Sequence, residues 1–485
     1  MKISMLGAAL ATMVISGAAQ ADDPRLSVAM LQPPRSGLSP LSDDAFKLSR
    51  WSTAETLIRL DAGGTPQPLL ATAWQRLDDS TWRFDIRKGV KFHDGTGLTP
   101  ERVAASLNAA INAVPKPRIL DGVEMAVEFD DEAVIVRTGA DDPLVPNRLS
   151  SPQMAIFAKR AYGDNGVVVP TNAGTGPFVL TEINGVTSAH LDRFEDYWGQ
   201  RAKLAGIDAD YVGDGTARGA ALRTGTAQIV EAVPVSQAAL IDTDLIHEVP
   251  MPRTNTLYVN TAKGPLTDPG LRSAVRQAVD RGTILRTVYE GRADEARGLL
   301  GPALPWADGL RSPVSYPAAS SPDGTRITLG TFTDRAELPE VAVLVSQALT
   351  EAGFVVEQDV REYAHIEADM LAGTFDLFIL SRATVLDSGD PVSYMVSDFS
   401  CEGSFNISQL CDPAVDAALE TAARTEPGQA RQQAIITAES AIMATGAAIP
   451  ILHERVIQGE AAGVADAMRD PRERMLITEH TTFAP

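Results

Sequence analysis

The chain has 485 residues, 44% of them hydrophobic and 22% charged, with a formal net charge of −21 at pH 7. That length exceeds what a single core usually spans, so two or three lobes are expected. The acidic balance is relieved by no basic stripe, which argues against nucleic acid or anionic lipid as the main partner.

Met1-Lys2 precedes an apolar run from Ile3 to Ile15, and the small residues after it end in Ala19-Gln20-Ala21. This is the pattern of a cleaved secretory signal at 1–21, with a mature periplasmic chain from Asp22. No Cys follows the run, which argues against a lipid anchor, and no later stretch approaches about 18 consecutive apolar residues.

Leu26, Val28 and Met30 alternate as a short strand, and residues 45–60 have helical spacing. From Thr81 to Ile86 the apolar Trp82, Phe84 and Ile86 alternate with Thr81, Arg83 and Asp85, the period of a half-buried strand entered through the Asp78-Asp79-Ser80 turn. Thr99-Pro100-Glu101 before Val103, Leu107 and Ile111 predicts a helix capped by Thr99 with Pro100 at its first position. Strands alternate with turns over 123–136, so the block 46–167 reads as an inserted α+β domain.

Strands are expected at 206–212, 227–233 and 256–260, and helices at 217–224, 267–278 and 282–289. A strand-helix-strand unit follows at 325–332, 338–352 and 354–357, then a strand at 375–380 and a helix-rich end over 413–443. The chain crosses at the proline-rich 250–252 and again at 449–453. The expected fold is therefore α/β, bilobal and hinged. Segments 22–45, 168–252 and 455–485 make lobe I, and 253–454 makes lobe II.

The only cysteines, Cys401 and Cys411, form an even, closely spaced pair. In an oxidising compartment this reads as a disulfide worth about 3 kcal/mol. Without CxxC or a nearby His it is not a closed metal site. The histidines at 93, 190, 247, 365, 453 and 480 offer no pair at ligand spacing. No cofactor or protein-held metal is expected, and a metal would have to arrive inside a chelator. Gly213-Asp214-Gly215 opening a helix is a poor match to a dinucleotide loop, because the third Gly comes one residue late. Neither GxSxG nor HExxH occurs.

The stretch 69–95, LLATAWQRLDDSTWRFDIRKGVKFHDG, closely resembles the signature of family 5 extracytoplasmic solute-binding proteins, the peptide- and nickel-binding components of ABC importers. GTGPF at 174–178, FEDYWG at 194–199, Asn260-Thr261-Ala262-Lys263, the 271–281 run, Tyr289-Glu290-Gly291 with Gly301-Pro302, and Ile449-Pro450-Ile451 extend the resemblance in the family's order. It implies a two-lobed clamp with an extra domain on the first lobe. Such a protein is a monomeric binder rather than an enzyme, and it hands a small peptide or carboxylate-bearing solute to a membrane permease.

Loops beyond strand C-termini present ligand contacts in α/β lobes, which singles out 381–391. By resemblance to peptide-binding members, Asp387 pairs with a peptide ammonium, with Asp390 as the competing residue. Thr384 stands where those members often carry Trp, so Tyr394 is the candidate for an aromatic wall. Arg382 and Arg118 are candidates to clamp a carboxylate bidentately. Arg118 and 149–154 fall where nickel-chelate-binding relatives place cleft residues, although Gln153 sits near where those relatives have Arg. Trp51 is a candidate for the cleft floor. The alternatives are a binder of nickel or another metal chelate and, from a different class, a secreted hydrolase assembled only in tertiary structure.

Overall fold

The computed structural model describes residues 24–61, 63–163, 167–385 and 388–484. The signal segment 1–21, Asp22 and Asp387 lie outside the described residues. Among the described residues one 11-stranded sheet runs through the molecule. Its strands are β1 (Arg25–Met30), β2 (Phe178–Asn184), β3 (Ser188–Arg193), β4 (Gly206–Tyr211), β5 (Ile229–Val230), β6 (Ile246–Val259), β7 (Ala293–Glu295), β8 (Arg326–Phe332), β9 (Val355–Arg361), β10 (Leu377–Ala383) and β11 (Ala448–Glu460). The order is β9-β8-β10-β6-β11-β5-β1-β4-β3-β2, with β7 alongside β11.

The two longest strands, β6 and β11, pair antiparallel from Ile246 opposite Gly459 to Tyr258 opposite Ala448. The ladder shifts register between Pro250 and Thr254, where proline withholds amide donors. The expected strand at 256–260 is thus the second half of a strand that continues through the proline-rich crossing. Both expected crossings fall within this pair. One core gathers Leu26, Trp51, Phe84, Phe157 and Ile477. The other gathers Tyr258, Phe378, Met395, Phe399 and Ile449, and takes in Leu222, Val230 and Ile246.

A second sheet lies within residues 71–138. Ala71–Asp78, Thr81–Ile86, Ala133–Thr138 and Met125–Phe129 form a four-stranded sheet in that order. The helix Pro100–Ile111 packs on it, with the Thr99 side chain accepting from Arg102 N at 3.3 Å.

The expected helix over 45–60 is cut short and runs only from Ala45 to Arg50, and Ile58–Leu60 is a strand paired with Pro66–Pro68. Ser52 turns left-handed at φ 51°, and the chain then extends to deliver Glu55 into the interior. There its carboxylate accepts from Thr175 Oγ1 (2.7 Å), Tyr197 Oη (2.9 Å) and Trp198 Nε1 (3.0 Å). A Cβ on Gly174 or Gly176 would lie 2.0 or 1.9 Å from the carbonyl oxygens of Thr53 and Ser52, so only glycine admits this approach. His93 donates its backbone N–H to Gly174 O and bonds Gly176 O through Nε2 at 2.9 Å. Three motifs distant in sequence therefore meet at one buried carboxylate.

The glycine loop at 213–219 also has a structural explanation. Asp214 caps the helix Gly215–Thr224 through Ala217 N at 2.7 Å. The buried Arg218 guanidinium donates to the carbonyls of Val212, Gly213, Glu231 and Ala232, which ties the loop to the strand beside it.

Two predictions follow from the packing around Glu55. Replacing Gly176 by Ala drives Cβ into backbone rather than a yielding side chain, so Gly176→Ala is expected to cost about 3 kcal/mol in urea unfolding. Burial also raises the Glu55 carboxyl to about 7. The fold therefore binds an extra proton relative to the unfolded chain between the ordinary carboxyl range and neutrality, and stability falls as pH rises through that window. Between about pH 5 and about pH 8, wild type is expected to lose up to about 3 kcal/mol relative to Glu55→Gln. Parallel pH profiles of the two would refute this assignment.

Candidate functional site

A cavity of about 670 Å³ lies between the two cores. Part of its wall comes from strand ends, as expected where parallel strands finish side by side, and the rest from helices and loops. Leu31 follows β1 and Glu231 follows β5, parallel neighbours on one side. Opposite them Arg335 lies just beyond β8, and Ser381 and Arg382 lie at the end of its parallel neighbour β10. Arg253 comes from β6, where Thr254 is in register with Arg382.

Charged groups line this space in nearly equal numbers of each sign, and most are already paired. Arg50 bridges Glu231 and Glu473, at 2.8 Å to each, and Glu473 also accepts from Arg253 Nε at 3.0 Å. Burial alone would raise the Glu473 carboxyl, yet Arg253 and Arg50 hold it down to about 2. Glu473 has φ 56°, a backbone conformation that costs energy and persists here under these two ion pairs. Arg335 pairs through Nη1 with Glu454 at 3.0 Å.

Arg382 is fixed more completely. Its Nε and Nη2 grip the fully buried Asp398 at 2.8 and 2.7 Å, and its guanidinium carbon lies 4.2 Å from the centre of the Phe405 ring. Asp398 also accepts from Tyr258 Oη at 3.2 Å. Pairing at both ends makes this buried charge tolerable, and a cut on either side would leave an isolated ion.

The sequence candidates divide. Arg382 and Arg118 are in the cavity wall, Arg118 paired with Asp43 at 3.1 Å. Trp51 is fully buried in the first core. Gln153 is buried and accepts from Ile119 N at 3.4 Å. Tyr394 lies behind the wall, its ring 5.7 Å from the Arg382 guanidinium and edge-on to Phe399. Asp390 is taken up by Arg431, at 2.7 and 3.0 Å, in a forked pair that staples its loop to the helix Gln429–Thr445. These four serve packing or internal pairing and do not line the cavity.

Sequence reasoning missed Arg50, Arg253, Arg335, Glu473 and Phe405. The strand-end rule that found Arg382 would also have found Arg335, three residues after Phe332. Glu473 carried no local signal, because its partners come from distant segments. The expected disulfide is present, joining Cys401 to Cys411.

The model "Bacterial extracellular solute-binding proteins, family 5 Middle" matches residues 65–406. Probable ABC transporter periplasmic-binding protein SapA of Escherichia coli K12 is 26% identical over 423 residues, covering 77% of this chain and 76% of its own. Probable di/tripeptide-binding protein 5 of Pseudomonas aeruginosa is 27% identical over 416 residues, covering 74% of this chain and 76% of its own. NikA from Brucella suis, solved with Fe(III)-EDTA, shares the fold at a TM-score of 0.84 and 20% identity, with 95% of this chain and all of that one covered. These relatives are transport-binding proteins. With the family match spanning well over half its length, the protein belongs to the bacterial extracellular solute-binding proteins of family 5.

Proposed function

We propose that the chain is the periplasmic binding component of an ABC importer and captures a small peptide or peptide-like, carboxylate-bearing solute between its two halves. On this reading residues 1–21 are removed on export. The clamp closes about β6 and β11, and the permease receives the cargo. Lobe I comprises 22–45, 168–252 and 455–485, with 46–167 inserted, and lobe II comprises 253–454.

One observation carries the reading. Strands β8, β10 and β6, adjacent in the sheet, bring the guanidiniums of Arg335, Arg382 and Arg253 to one wall of the cavity. Guanidiniums match carboxylates in shape as well as charge. The near balance of charge around the whole cavity suits a zwitterion better than a strongly charged solute. Among relatives, the Pseudomonas protein is named for di- and tripeptides, which supports the same class.

Calorimetry with Ala-Ala and Ala-Ala-Ala, set against nickel–histidine, tests the proposal. Saturable peptide binding is expected. Binding of the nickel complex alone would move the assignment to metal chelates, and hydrolysis of peptides without retention would move it to an enzyme. If Arg382 holds the cargo carboxylate, C-terminally amidated Ala-Ala-Ala binds more weakly than the acid. The double variant Arg382→Gln/Asp398→Asn, which leaves no unpaired buried ion, should abolish that difference. Asp387→Ala is expected to weaken peptide binding by about 2 kcal/mol, as for a lost charge pair to the ammonium.

A further inference from the structure

The cleft's aromatic surface does not come from either place the sequence suggests. Thr384 offers no ring, and its hydroxyl donates to Pro252 O at 3.1 Å. Tyr394 is buried behind the wall. Phe46 and Phe332, which reach the cavity, are 7% and 6% exposed, and Phe332 is covered by the edge of Tyr363 at 5.1 Å between ring centres. Tyr363 and Phe405 are both partly exposed in the cavity wall, but Tyr363 is engaged by Phe332 and donates its hydroxyl to Glu367 at 2.8 Å, whereas Phe405 stacks on the Arg382 guanidinium.

Phe405 is also held rigidly. It sits inside the loop closed by the Cys401–Cys411 disulfide. Its amide donates to Ser397 O at 3.0 Å, and its carbonyl accepts from Ile407 N at 2.9 Å. The next residue, Asn406, spans the loop through Nδ2 to Ser400 O (3.0 Å) and Leu410 O (2.6 Å). One side of the ring is covered by the Arg382 guanidinium, which Asp398 prevents from swinging away. A ring backed by a fixed cation and strapped at its backbone loses little freedom when a second flat group stacks on its open side.

We infer that Phe405 is the specificity-determining wall of the cleft and that it favours cargo bearing a flat aromatic side chain. The inference rests on the cleft being the cargo site for peptides. An aliphatic side chain of similar size gains burial there but not the stacking geometry, so the discrimination should show between side chains of like hydrophobicity and unlike shape.

Ala-Phe and Ala-Leu are the probes, titrated calorimetrically into wild type, Phe405→Leu and Phe405→Tyr, with melting temperatures recorded for each. Wild type should bind Ala-Phe about tenfold more tightly than Ala-Leu. Phe405→Leu should erase that preference while still melting cooperatively, and Phe405→Tyr should keep it. Equal affinities in wild type, or a preference that survives in Phe405→Leu, overturn the inference while leaving the peptide reading intact. Failure of wild type to bind either dipeptide overturns the peptide reading and this inference with it.

Discussion

The antiparallel pairing of β6 with β11 is the constraint on which the rest of the molecule depends. Their core residues, among them Ile246, Leu257, Tyr258, Ile449 and Ile457, pack in the second core, while the neighbouring β5 and β1 carry residues of both cores, and the strand-borne walls of the cavity are attached directly or through one neighbour to this ladder. The register shift beside Pro250 interrupts that ladder next to Val249 and Met251, which line the cavity.

The ion pairs of the cleft follow from the same arrangement. Strand ends, helix residues and the loop around Glu473 bring guanidiniums and carboxylates into a confined space, where an unpaired charge would be costly. Arg50 and Arg253 share Glu473, Arg335 takes Glu454, and Arg382 takes Asp398. Glu473 tolerates its left-handed backbone because two guanidiniums hold its side chain in place. The cleft is thus organised before any cargo arrives.

Much of the fold was legible in the sequence because its signals were local. The alternation of Trp82, Phe84 and Ile86, the Thr99 cap and the cysteine spacing each specify structure within a few residues. The helix expected over 45–60 failed for the opposite reason. Its second half is held extended by Thr175, Tyr197 and Trp198, partners more than a hundred residues away whose pull on Glu55 outweighs local spacing. The same distance law governs the site. Arg382 could be read because it ends a recognisable strand. Glu473 and Phe405 acquire their roles only from neighbours that the sequence does not place beside them. The family motifs at 69–95, 174–178 and 194–199 mark the packing around Glu55, and those at 271–281 and 449–451 the second core, so they identify the lineage far better than the cargo.

The paired state of the cleft charges bears on how cargo exchange responds to its surroundings. Free guanidiniums facing an open cleft would attract small anions, and the affinity of a carboxylate would then fall steeply as ionic strength rose. Here each main cation of the wall already has a carboxylate within hydrogen-bonding distance, so the field that salt could screen is short-ranged before cargo enters. Affinity for a charged solute is then set by short-range contacts inside the cleft and responds little to ionic strength.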